Sequence, residues 1–107
     1  MRFATQKYFD RDWARLKPEH QRQFITVVRG KFIPACDAWA KAADAGLPFV
    51  WPKSLRVSPI ANGGGIMEMT WSFASPDGRA TFHLGSQDDE WISYWRRIGD
   101  HGVFEVP

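Results

Sequence analysis

Ile66-Met67-Glu68-Met69-Thr70-Trp71-Ser72-Phe73-Ala74-Ser75-Pro76-Asp77-Gly78-Arg79-Ala80-Thr81-Phe82-His83-Leu84 decides the architecture. Met67, Met69, Trp71 and Phe73 alternate with Glu68, Thr70 and Ser72, the period of two that marks a strand with one buried face. Ser75-Pro76-Asp77-Gly78 carries turn chemistry. Beyond it, Ala80, Phe82 and Leu84 alternate with Arg79, Thr81 and His83. Pairing Ala74 with Arg79 sets Phe73 against Ala80, Trp71 against Phe82 and Met69 against Leu84. Every apolar side chain then falls on one face, and Thr70 faces His83 on the other. The stretch is a hairpin whose apolar face needs a cover.

The cover lies upstream. Residues 1–8 alternate weakly and predict a short edge strand. Phe9, Trp13 and Leu16 recur at helical spacing and predict a short helix over 9–17. Pro18 suits the first turn of a second helix. Its apolar stripe runs through Phe24, Val28, Phe32, Cys36, Trp39 and Ala43. Pro34 interrupts it, so a kink or two helices end to end are expected. Gly46 and Pro48 stop it. Leu55 to Ser58 reads as a strand ended by Pro59, and Asn62 to Gly65 as a flexible turn. That turn lacks the Lys-Ser/Thr of a phosphate loop, and no helix follows it. Trp91 to Ile98 is a last strand. The expected fold is α+β: an N-terminal strand and two helices on one face of a 3–4-stranded antiparallel meander sheet.

The 107 residues fit one domain, 1–107. Nine arginines against five lysines favour forked contacts over diffuse charge. The net charge of +2 permits an acidic partner without demanding one. Cys36 has no second cysteine to pair with and reads as a small buried residue. One cysteine and three dispersed histidines argue against structural zinc, and no cofactor is expected. No apolar run reaches membrane-spanning length and no leader pattern opens the chain, so a cytoplasmic home without membrane contact is the expectation.

Chemistry is expected on the polar face of the sheet. Alternation places Arg56, Glu68, Arg79 and His83 there. Arg97 joins them if Ile92, Tyr94 and Ile98 point into the core, and His101 and Phe104 follow that strand. Arginine grips phosphate through a planar fork, histidine moves a proton near neutral pH, and a ring stacks on a base. Each residue also has a plainer reading. Glu68 could simply neutralise Arg79 or Arg56. His83 could be a sheet-surface histidine, Phe104 a plug, and His20 a solvated residue at a helix start.

Trp51-Pro52-Lys53-Ser54-Leu55-Arg56-Val57, Gly65-Ile66-Met67-Glu68-Met69, Asp77-Gly78-Arg79-Ala80-Thr81-Phe82 and Ile98-Gly99-Asp100-His101-Gly102-Val103-Phe104 occur in an order that resembles the RelE/ParE superfamily of bacterial toxin–antitoxin systems. The last segment is similar to the ending of its YafQ-like branch, in which the histidine is catalytic, and Phe104 stands where several relatives carry tyrosine. The resemblance implies a toxin that cuts mRNA on the ribosome without metal. Arg79, with Arg56 or Arg97, would hold the phosphate. His101 would be the general acid, and Glu68 or His83 the base. Lys53, Arg56, Arg96 and Phe104 would contact RNA, and a cognate antitoxin would be the protein partner. The ParE branch implies the alternative, a non-enzymatic inhibitor of DNA gyrase. A third reading is an inert binding module of the same fold.

Overall fold

The computed structural model of the chain describes residues 1–61, 63–72, 77–100 and 106–107. Strand β1 (Arg2–Thr5) leads into helix α1 (Lys7–Arg15) and helix α2 (Pro18–Val27). A π-helical turn, Val28–Phe32, joins α2 to α3 (Ile33–Asp44). The kink expected at Pro34 thus takes a defined form. Pro34 has no N–H to give the Gly30 carbonyl, and the ladder widens one turn earlier, where the Ile33 N–H reaches the Val28 oxygen.

The loop after α3 departs from expectation. Lys53–Leu55 is a 3-10 turn and Arg56 follows it with φ of 47°, so the strand expected over 55–58 shrinks to β2 (Ser58–Pro59). Burial of Leu55 in the core anchors the turn. Pro59, which lacks a donor, sits on an edge strand, where no ladder bond is lost.

Strands β3 (Met67–Ser72), β4 (Gly78–Gln87) and β5 (Glu90–Gly99) complete a five-stranded sheet of order β1-β5-β4-β3-β2. The sheet is mixed, which corrects the antiparallel meander of three or four strands: β1 runs parallel to β5, and the other pairs are antiparallel. No hairpin ties β1 to β5, so its direction is set by the helical crossover instead.

The faces of the β3–β4 hairpin are as the alternation requires, but the register differs. Arg79 stands opposite Thr70 rather than Ala74, and Met69 opposite Ala80. The offset of four residues preserves the faces because it is even. Its cause is the contact of Trp71 with Gly78. A Cβ on Gly78 would lie 2.5 Å from the indole, so only glycine lets the ring cross there. The ladder steps between Thr70 and Ser72 to make that crossing.

In β5 a second irregularity resets the alternation. Thr81 pairs with Arg97 and Phe82 with Trp95, leaving Arg96 as the extra residue of a bulge. Trp95 and Ile98 consequently share the core face. Tyr94, expected in the core, instead stacks on His83 at 4.8 Å, and Ile92 shares its face by alternation. The core lies between helices and sheet: Phe9, Phe24, Phe32, Ala35 and Cys36 against Leu55, Met69, Trp71, Ala80, Phe82, Trp95 and Ile98. Burial pushes the Cys36 thiol up to about 12, which makes it an inert core group.

Candidate functional site

The sheet face away from the helices carries polar side chains, and its arginines are held by carboxylates and other acceptors. Arg79, in β4, gives Nη1 to Glu68 Oε1 at 3.3 Å and Nη2 to Asp77 Oδ2 at 3.2 Å. Glu68 Oε1 also accepts from Ser58 Oγ at 3.2 Å, which ties β2 into the group. Arg79 and Glu68 are each 13% exposed in their side chains, and Asp77 is 38% exposed. Asp77 is therefore the partner that water or a ligand reaches most readily.

Arg96 and Arg97 point to this face together because of the bulge. Arg96 Nη1 lies 3.1 Å from His83 Nδ1. The guanidinium has only donors, so Nδ1 accepts and the ring proton sits on Nε2. In this state His83 offers a donor to solvent rather than a free base. Burial, and then the charge of Arg96, hold its titration below the ordinary 6.5.

That shift fixes a pH dependence. Well above pH 6.5, the ordinary value, the ring is neutral in folded and unfolded chains alike. Below it the unfolded chain binds the proton first, so stability falls as the pH drops toward the folded value. The urea midpoint should decrease between pH 7 and pH 5 more steeply for the native chain than for His83→Gln. Equal slopes would remove His83 as the source.

Arg97 is held by α1. Its Nε and Nη2 reach Asp12 Oδ2 and Oδ1 at 2.6 and 3.1 Å, and Asp12 Oδ2 also accepts the Ile98 N–H at 3.1 Å. The β1–β5 ladder runs only as far as Thr5 opposite Trp95. Asp12 thus caps the β5 edge where its parallel neighbour ends. Its hydrogen bonds hold the Arg97 proton more firmly than usual. Arg97, an expected phosphate ligand, is therefore committed to the fold through Asp12.

The polar face is partly covered. Residues 106–107 lie against it: Pro107 O accepts from Arg96 Nε and from Thr81 Oγ1, both at 3.1 Å, and Val106 O accepts from Arg97 Nη1 at 3.0 Å. Thr81 is fully buried, although it lies on the polar side of β4. Donors from two neighbouring strands therefore converge on one oxygen.

Of the remaining expected residues, Lys53 and Arg56 lie on the loop before β2, exposed and off any strand face. His101 and Phe104 fall outside the described residues. His20 is half-buried against Trp71 at 6.0 Å rather than simply solvated. The structure brings in Asp12, Thr81 and Tyr94, which the sequence reading had not placed in the site. A spacing signal existed for Tyr94. Trp95 and Ile98 are separated by two cations, so both can face the core only across a bulge, which moves Tyr94 to the other side. Among the described residues, no three His, Cys, Asp or Glu side chains gather as a metal-holding group, and no helix is long and apolar enough to cross a membrane. Comparisons with protein-family models, curated proteins and solved structures found no match for the chain.

Proposed function

We propose that this protein is a toxin of the RelE/ParE kind that cuts mRNA as a metal-independent endoribonuclease, on the ribosome, and is restrained by a cognate antitoxin. The observation that carries the reading is the grip of Arg96 Nε and Thr81 Oγ1 on a single oxygen, that of Pro107, on the face where a phosphate would lie. Forked nitrogen donors beside a hydroxyl are suited to a phosphate oxygen. The motif order Trp51 to Phe104 supplies the reaction type.

In this reading the RNA 2′-hydroxyl loses its proton to Glu68 and attacks the adjacent phosphorus. The bond to the 5′-oxygen breaks, and His101 protonates that oxygen as it leaves. The products are a cyclic phosphate and a free 5′-hydroxyl. Arg79 stabilises the charge that develops on the phosphoryl oxygens. His83 serves as donor and support for Arg96 rather than as base, because its Nδ1 is occupied.

One observation favours the non-enzymatic alternative: Arg79 and Arg97 already hold carboxylates. Induced expression without an antitoxin separates the two. Growth arrest with newly cut transcripts carrying 5′-hydroxyl ends supports the nuclease. Arrest with a DNA-damage response and intact transcripts replaces it with gyrase inhibition. Absence of any phenotype leaves the inert module.

A further inference from the structure

Among the described residues, Tyr8 is the one Phe, Tyr or Trp side chain that stands exposed, at 56%. It lies on the outer side of α1, and two guanidiniums attend its ring. Arg11 Cζ is 5.6 Å from the centroid and Arg97 Cζ 6.0 Å. Arg11 follows one helical turn later, which places it beside the ring. Arg97 arrives from the sheet and is fixed in place by Asp12. Lys7, Arg11 and Arg15 recur every four residues, all exposed, so one flank of α1 is a positive stripe. Among the described residues none of these three meets a carboxylate at ion-pair distance. Through Arg97 the stripe is continuous with the cations of the sheet face.

We infer that Tyr8 is a base-stacking station for single-stranded RNA, with Arg11, Lys7 and Arg15 tracking the phosphates along α1. The inference rests on the nucleic-acid reading of the sheet face and adds a second binding segment to it. At 56% exposure the ring keeps area on which any base can stack, and the guanidiniums beside it add cation–π attraction and phosphate donors. An acidic peptide would be served by the cations alone, and the exposed ring would then have no role. Arg97, pinned between the sheet and Tyr8, sets the path of the strand from the sheet site onto the helix.

The test measures binding without cleavage. A labelled single-stranded 2′-O-methyl oligonucleotide, which offers no attacking hydroxyl, is titrated with the native chain, Tyr8→Ala and Tyr8→Trp. Tyr8→Ala should weaken binding about five- to a hundredfold, the usual worth of one stacked base, while Tyr8→Trp retains it. An oligonucleotide with abasic positions should lose the same factor against the native chain and nothing further against Tyr8→Ala. Tyr8 is exposed, so the thermal midpoint should be unchanged and serves as the folding control. Equal affinity of Tyr8→Ala, or indifference to abasic positions, overturns the inference. So does polyglutamate binding that depends on Tyr8 where oligonucleotide binding does not, because an acidic protein would then be the partner. Stacking that persists in a chain unable to cut transcripts removes the nuclease reading and leaves this one standing. Cleavage that ignores Tyr8 does the reverse.

Discussion

Phe32→Ala should lower the unfolding free energy by about 3–5 kcal/mol, the usual range for removing a buried phenylalanine ring. Phe32 is fully buried, and its ring meets Trp95 at 4.6 Å, Phe82 at 4.9 Å, and Phe3 and Trp51 at 6.2 Å each. It therefore touches β1, β4, β5 and the loop before β2 from one position, the last residue of the π turn. Domains of this size hold only about 5–15 kcal/mol in total, so the variant approaches the limit of folding. The thermal midpoint should fall by at least about 12 °C. Phe32→Leu keeps most of the volume and should cost less than about 1.5 kcal/mol if the site repacks. Urea unfolding followed by tryptophan fluorescence measures both, since Trp95 and Trp51 adjoin the cavity. A loss below about 1 kcal/mol for Phe32→Ala would mean that the core does not depend on this junction.

The aromatic density that makes Phe32 critical was visible in the sequence, and so were the faces of the sheet. Alternation in Met67 to Ser72 and Gly78 to Leu84 fixed which side chains face the helices, because a pleated strand allows only two directions. Register was less legible. It turned on Trp71 crossing Gly78, a contact between side chain and backbone that no periodicity records. The phase of β5 was readable in principle from the Trp95-Arg96-Arg97-Ile98 spacing, but strict alternation conceals a bulge. Cys36 was legible as a buried residue because its helical stripe was. The fate of the arginines was not. Asp12 and Arg97 are 85 residues apart in the chain, and no local pattern links them. Charges on a polar face are placed by tertiary contacts, so alternation located Arg79 on the sheet but misplaced Arg56, which caps a 3-10 turn, and did not show which carboxylate would hold Arg97. Arg79 was the exception, since Glu68 stood ready on the neighbouring strand as its neutralising partner.

That pairing makes Arg79 the sharpest test of the catalytic reading. Arg79→Ala should slow transcript cleavage by about 10²–10³-fold, the usual effect of removing one donor that stabilises transition-state charge. His101→Ala should slow it by about 10²–10⁴-fold through loss of the general acid. The two losses differ in origin. For Arg79 to hold a phosphate it must exchange a resting partner, and Asp77, at 38% exposure against 13% for Glu68, is the one that yields. Asp77→Asn should therefore preserve cleavage or raise it at low RNA concentration, because the competing charge is gone while Glu68 still orients the guanidinium. Arg79→Lys should fail nearly as badly as alanine, since an ammonium cannot bridge a carboxylate and a phosphate with one planar fork. Glu68→Gln keeps the shape and removes the base. Rates are compared at equal folded protein, judged from urea midpoints, because Arg79→Ala also removes a donor from Glu68, which Ser58 continues to hold. If Arg79→Ala cuts at the native rate, the guanidinium serves only to neutralise Glu68. The sheet face would then be a binding surface, and toxicity that persists in both Arg79→Ala and His101→Ala would belong to the gyrase-type mechanism.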